Sequence, residues 1–283
     1  MGKPRTDELT GRETMGHDFD GIEELNTPMP RWWLITFYLT IIWGVGYTIA
    51  FPAWPMLSGA TAGLLGYSTR AEVAEQIETH EAANAALVEE LVGVDLAAFS
   101  PQTDLHRYAV SRGASVFRAQ CSQCHGSGAA GSLGYPNLLD NDWLWGGSLD
   151  AIAQSVRHGI RNETDDDARW SEMPAFAELL EAEEIETLAQ FVPTLAAANW
   201  ESDGGLLFTE HCASCHGDAG LGDRDLGAPN LADAIWLYGG DHDSLLETIS
   251  NARFGVMPAW GQRLSEADVR AVSTYVHALG GGE

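Results

Sequence analysis

Residues 121–126 read CSQCHG and residues 212–217 read CASCHG. Two thiols three residues apart reach the two vinyl groups on one edge of a porphyrin. The adjacent histidine then turns its imidazole under the iron, which makes C-x-x-C-H the attachment pattern of c-type haem. A single copy also suits a zinc or dithiol redox site. Two copies, each followed by glycine and together using all four cysteines of the chain, point to two covalently bound haem c groups. The expected attachment residues are Cys121, Cys124 and His125, then Cys212, Cys215 and His216. A thioredoxin-like reading lacks the βαβ setting it needs, and a zinc reading lacks a second ligand pair at close spacing in each copy.

Outward from these motifs the chain repeats itself. CSQCHG is followed by PNLLDNDWLWGG at 136–147 and MPAF at 173–176. CASCHG is followed by PNLADAIWLYGG at 229–240 and MPAW at 257–260, in the same order and at similar offsets. Each copy opens on a short helical pattern (104–120 and 201–211) and closes on another (179–192 and 265–279). Ser265 and Asp268 resemble a capping box at the start of the last one. The boundary between copies falls near 196–199. The fold class expected is all-α: one N-terminal transmembrane helix followed by two tandem cytochrome c-type haem domains, 104–198 and 199–283.

Past Met56 the chain holds two methionines, Met173 and Met257, each followed by proline and each in the same place in its repeat. A thioether as second axial ligand raises the potential of a haem, as in electron-transfer cytochromes c. The expected iron ligands are therefore His125, His216, Met173 and Met257. The bland alternative is core packing by methionine. Spacing leaves the pairing open: His125 with Met173 and His216 with Met257, or the reverse, which would lock the two copies together.

The other candidates are weighed the same way. His158, His211, His242 and His277 read as surface or packing residues. Trp143 and Trp236 read as aromatic walls, with donation to a haem propionate as the functional alternative. Pro136 and Pro229 shape the loop beside each haem. Asp165, Asp166 and Asp167 read as a solvated loop, with a docking patch as the alternative. With both irons six-coordinate, neither offers an open position to a substrate. Electron relay is then the expected function, with catalysis of a chemical step left to other chains.

Residues 32–51 read WWLITFYLTIIWGVGYTIAF, twenty positions without a charge. That length spans a bilayer core of about 30 Å at about 1.5 Å per residue. Trp32, Trp33 and Trp54 lie at the ends, where amphipathic rings favour the interface, and Pro52 and Pro55 mark the far end. Lys3, Arg5, Arg12 and Arg31 precede the span and the next basic residue is Arg70. The positive-inside rule then keeps 1–31 as a flexible cytoplasmic tail and exports the rest. The expected partition is anchor 32–56, periplasmic helical linker 57–103 and the two haem domains, on a bacterial inner membrane. Within the linker, 69–92 reads as a helix capped at Thr69 with Glu72 three residues later.

The chain has 41 acidic and 15 basic residues among 283, a formal net charge of −26. Such a surface repels nucleic-acid phosphates and steers a basic docking partner. It also fits plain solubility or a salty habitat.

The run 20–56, DGIEELNTPMPRWWLITFYLTIIWGVGYTIAFPAWPM, is similar to the N-terminal segment of dihaem subunit III of cbb3-type cytochrome c oxidases. PRWW before the span and PAWP after it are the discriminating features. LGYSTRAEVAEQI and the order of the two CxxCHG…MPA units resemble the family as well, so the likeness covers almost the whole chain. The resemblance implies a membrane-bound carrier that accepts electrons from a cytochrome c donor and passes them to monohaem subunit II. From there they reach haem-copper subunit I, where oxygen is reduced and protons are pumped in respiration. It implies the same eight cofactor-binding residues and suggests the crossed methionine pairing. Two other functions are carried beside it: a stand-alone membrane-tethered dihaem carrier serving several acceptors, and a haem enzyme such as a peroxidase, which requires a haem lacking its sixth ligand.

Overall fold

In the computed structural model, which describes residues 3–282, the chain divides into two compact units, 1–82 and 83–283, each considered by itself. The first begins with a hairpin, β1 (Thr14–Phe19) antiparallel to β2 (Ile22–Leu25). This corrects the expectation of a flexible tail. The turn is Asp20–Gly21, both at positive φ (53° and 89°), the dipeptide that two-residue hairpins favour. Asp18 Oδ1 accepts from Gly21 N at 2.6 Å, and Arg5 pairs with Glu23 at 2.8 Å.

Helix α1 (Arg31–Ala50) follows Pro30, where a fixed φ suits a helix start. None of its residues is buried within the protein, and it is long and apolar enough to cross a membrane. A two-residue ribbon, β3 (Pro55–Met56) with β4 (Gly59–Ala60), then leads to α2 (Thr69–Gly93). The cap of α2 is Ser68 rather than Thr69, because Ser68 Oγ accepts from Ala71 N at 3.3 Å. The end of α2 lies in the second unit, where Leu91 is fully buried against Leu105, Ala109 and Ala271.

The second unit runs α3 (Asp104–Val116), α4 (Ser122–His125), α5 (Leu149–His158), α6 (Ala182–Phe191), α7 (Asp203–His211), α8 (Ala213–His216), α9 (His242–Asn251) and α10 (Glu266–His277). A π turn at Phe117–Cys121 joins α3 to α4. Five helices start on side-chain caps: Thr103, Ser148, Ser202, Asp241 and Ser265 each accept from a backbone N–H three residues on.

Packing does not follow the sequence repeat. The first CxxCH belongs to a core of Phe117, Ile152, Val156, Val269, Val272 and Val276, with Met257 against it. The second belongs to a core of Phe176, Ile185, Leu188, Phe191, Phe208 and Leu245, with Met173 against it. The opening helix of copy one, α3, packs on the closing helix of copy two, α10, and α7 of copy two packs on α6 of copy one. Both crossings are made close by a glycine eight residues before the first cysteine. A Cβ on Gly113 would sit 2.0 Å from Ala271 O, and one on Gly204 2.6 Å from Phe191 Cβ. The partition at 198/199 thus divides the repeat, while each core takes one half from each copy. A helix crossing needs complementary surface, and sequence adjacency is no part of that requirement, so an exchanged element serves as well as a local one.

Candidate functional site

One cavity of about 770 Å³ within the second unit is lined by both CxxCH motifs and both methionines. Cys121 and Cys212 are half-buried thiols, and Cys124 and Cys215 are exposed. Desolvation, with a smaller push from the neighbouring cysteine, raises the Cys121 and Cys212 thiols to about 11.

The two histidines are held identically. His125 Nδ1 lies 3.1 Å from the carbonyl of Pro136, and His216 Nδ1 3.0 Å from that of Pro229. A carbonyl only accepts, so each Nδ1 carries the proton and Nε2 is left with its lone pair. Burial lowers both imidazole pKa values, favouring the neutral ring that a metal requires, although the proline hydrogen bond pulls the other way. This gives the two prolines a definite task. Gly126 and Gly217, at φ 79° and 77°, end α4 and α8 and turn the chain towards them.

Met257 is fixed in the first core by backbone. Ile160 N donates to Met257 O and Met257 N to Ile160 O, both at 3.0 Å, just past the end of α5. Gly159, at φ 78°, is required there, since a Cβ would meet Met257 O at 2.4 Å. Met173 packs instead beside Cys212, Leu188 and Phe176. Each methionine therefore shares a core with the CxxCH of the other copy. The donor set fits a c-type haem in each core: two thiols, a neutral imidazole nitrogen, a thioether and apolar walls.

Trp143 and Trp236 are walls, packing in the first and second core respectively. Trp143 Nε1 donates to Gly281 O at 2.5 Å, so its indole is engaged by the C-terminus. His158 pairs with Asp165 at 3.1 Å, and His242 with Glu186 at 2.9 Å, and neither lines the cavity. Cavity-lining residues that the sequence reading did not single out include Trp145, Arg161, Tyr238 and Arg253. Trp145 and Tyr238 occupy the same place in WLWGG and WLYGG, a match visible in sequence but without chemistry there. In the structure they exchange partners: a Cβ on Gly227 would meet Trp145 at 2.2 Å, and one on Gly134 would meet Tyr238 at 3.2 Å.

Two family models match the chain. One, described as the N-terminal domain of cytochrome oxidase-cbb3, FixP, covers residues 11–58. The other, cytochrome c oxidase, cbb3-type, subunit III, covers 109–192 and 201–276. Among similar proteins, the cbb3-type cytochrome c oxidase subunit CcoP of Cereibacter sphaeroides is 55% identical over 276 residues, 95% of each chain. The corresponding subunit of Rhodobacter capsulatus is 50% identical over 286 residues, 96% of each chain. Subunit FixP of Sinorhizobium medicae is 48% identical over 281 residues, 98% of this chain and 97% of its own. With the cysteine pairs, their histidines and two duplicated cores in place, the chain belongs to the subunit III family of cbb3-type cytochrome c oxidases, as a membrane-anchored cytochrome c carrying two covalently bound haem c groups.

Proposed function

We propose that this chain relays single electrons from a cytochrome c donor to subunits II and I of a cbb3-type oxidase, with both haem domains on the periplasmic face. Haem c supplies a one-electron Fe(III)/Fe(II) couple when bound. The chain's own residues do the rest. Cys121 with Cys124, and Cys212 with Cys215, tether the group. Pro136 and Pro229 hold His125 and His216 in the ligating tautomer. Thioether ligation by Met257 and Met173 raises the potential and closes the sixth position to oxygen. The three basic residues before α1, with Arg31 at its start, and the absence of others up to Arg70 support a cytoplasmic N-terminus.

The pairing in this reading is crossed: His125 with Met257, and His216 with Met173. The observation that carries it is the two-way backbone pairing of Met257 with Ile160, in the core that holds Cys121. It is tested in chains bearing only the first haem, made by Cys212→Ala with Cys215→Ala. There Met257→Ala is expected to yield a haem that binds carbon monoxide, and Met173→Ala to leave the spectrum unchanged. The opposite result restores the uncrossed pairing. The oxidase role is tested by purification in mild detergent from native membranes. Co-purification of b-type haem, copper and oxygen uptake with reduced cytochrome c is expected. Recovery of this chain alone, under conditions that keep a control oxidase intact, rejects it.

A further inference from the structure

Trp145 is 7% exposed, and its indole Nε1 is buried with no acceptor. A buried donor without a partner is costly, and native structures rarely leave one. The ring lines the cavity between the two copies, wedged against Gly227 of the second. The Arg169 guanidinium lies over the ring, 5.3 Å from its centroid, and Arg169 Nε is also buried without an acceptor.

Arg161 lines the same cavity. Its Nε donates to Gly255 O at 2.7 Å and its Nη1 to Ser171 O at 3.3 Å, so neutral carbonyls hold it and, among the described residues, no ion pair does. Its desolvation is only partly offset by Tyr238 and Glu172. Its backbone sits at φ 48°, a left-handed conformation that costs any side-chain-bearing residue. That conformation is held by Arg161 N donating to Arg169 O at 2.8 Å and by the adjoining Ile160–Met257 pair. In a chain with 41 acidic and 15 basic residues, two guanidiniums with no close ion pair among the described residues and an orphan indole N–H, with Glu172 and Asp225 acting on them only at longer range, form a prepared anion site.

We propose that Trp145 Nε1, with Arg161 lining the same cavity, receives a haem carboxylate at the junction of the two copies. The inference rests on haem c occupying this cavity, and it assigns the propionate-holding role to Trp145 rather than to Trp143 or Trp236. These are positioning residues. By neutralising a carboxylate near an iron they favour the reduced state, and they couple the haem to the contact between copies, since Gly255, Ser171 and Gly227 come from segments on both sides of the repeat boundary.

The test is spectroelectrochemical titration of the full-length protein carrying Trp145→Phe, Arg161→Gln or Arg161→Lys. Haemochrome quantitation comes first: two c haems per chain in each variant keep the occupancy reading intact, so failure of the present inference is separable from failure of that one. Arg161→Gln is expected to shift one haem towards the oxidised form by tenfold or more at fixed ambient potential, about 59 mV for one electron. Trp145→Phe should shift the same haem in the same direction by less, and Arg161→Lys should fall between wild type and Arg161→Gln. Redox-difference infrared spectra of Trp145→Phe should show an altered carboxylate band. Wild-type potentials and carboxylate bands in both Trp145→Phe and Arg161→Gln overturn the proposal. Adding Met173→His or Met257→His moves one titration away from the other and identifies which haem carries the carboxylate.

Discussion

The two cores hold the same motif by different means. The first joins 117–156 to 257–279, more than a hundred residues apart, and is stitched by charge: Arg112 to Asp268 at 2.8 Å and Arg157 to Glu266 at 2.6 Å, with Arg270 bonding Glu266 and the carbonyls of Leu91 and Val94. The second is assembled from 173–249 and is closed by aromatic packing. Phe191, Phe208 and Trp200 form a triangle with centroids 5.6–6.0 Å apart. Local closure is entropically cheap and needs only apolar contact. Long-range closure costs more loop entropy, and oriented ion pairs there supply register as well as attraction. The second core is expected to close without the last helix, and the first is not.

Ending the chain after Leu264 breaks the comparison most severely. It removes α10 and with it Val269, Val272 and Val276, each worth about 1.5–3 kcal/mol of burial. The expected result is one normal haem, at Cys212 and Cys215, and one that binds carbon monoxide or is lost, read by haemochrome and difference spectra. Next is Phe208→Ala, at 0% exposure, expected to cost about 3–5 kcal/mol in denaturant unfolding. Its spectral damage should stay with the second haem, and equal damage to both would mean that the cores do not act separately.

Gly113→Ala and Gly204→Ala probe the equivalent crossings. A methyl at Gly113 meets the backbone oxygen of Ala271, whereas one at Gly204 meets the Phe191 side chain, which has some freedom to yield. Both should destabilise, by about 1–3 kcal/mol, with Gly113→Ala the worse. Urea midpoints of the two variants decide the order.

The smallest effect is Glu266→Gln, which removes a partly exposed carboxylate shared by Arg157 and Arg270. Burial alone would raise its pKa, but the two arginines outweigh burial and hold it below the usual value. A carboxylate depressed in the folded state adds stability above its unfolded pKa and loses it as pH falls through the folded one. The variant should therefore lose about 0.5–1 kcal/mol at pH 7 and nothing in strong acid, below both pKa values. Thermal melts across pH 2–7 check this, and a loss that persists in acid would assign Glu266 to packing rather than charge.

Much of this was legible in the chain. The cysteine pairs, their histidines, the matched Met-Pro units and the duplicated PNL and WL segments mark the residues proposed to hold haem. The helix read over 69–92 runs from Thr69 to Gly93, with its cap one residue earlier than expected, and the uncharged span lies in a helix as its length implies. The hairpin at 14–25 carries an Asp-Gly turn signal, but its polar surroundings read as a tail. Helices α5 and α9 lie in segments left unassigned between motifs, although Ser148 and Asp241 mark their starts. Trp145 and Arg161 had no signal of their own, since an unpartnered indole exists only once its neighbours are placed.

The chain by itself determined the chemistry. Covalent attachment and the imidazole ligand depend on residues one to three positions apart, and that spacing survives any arrangement of the rest. Which methionine enters which core was a tertiary decision. Met173 and Met257 are followed by nearly the same residues, so local sequence scores the two placements alike. What separated them was the fit of α10 on α3 at Gly113, the fit of α6 on α7 at Gly204, and the pairing of Met257 with Ile160. These are contacts of shape and hydrogen bonding between segments far apart in the chain, and they come into being only when the chain has folded.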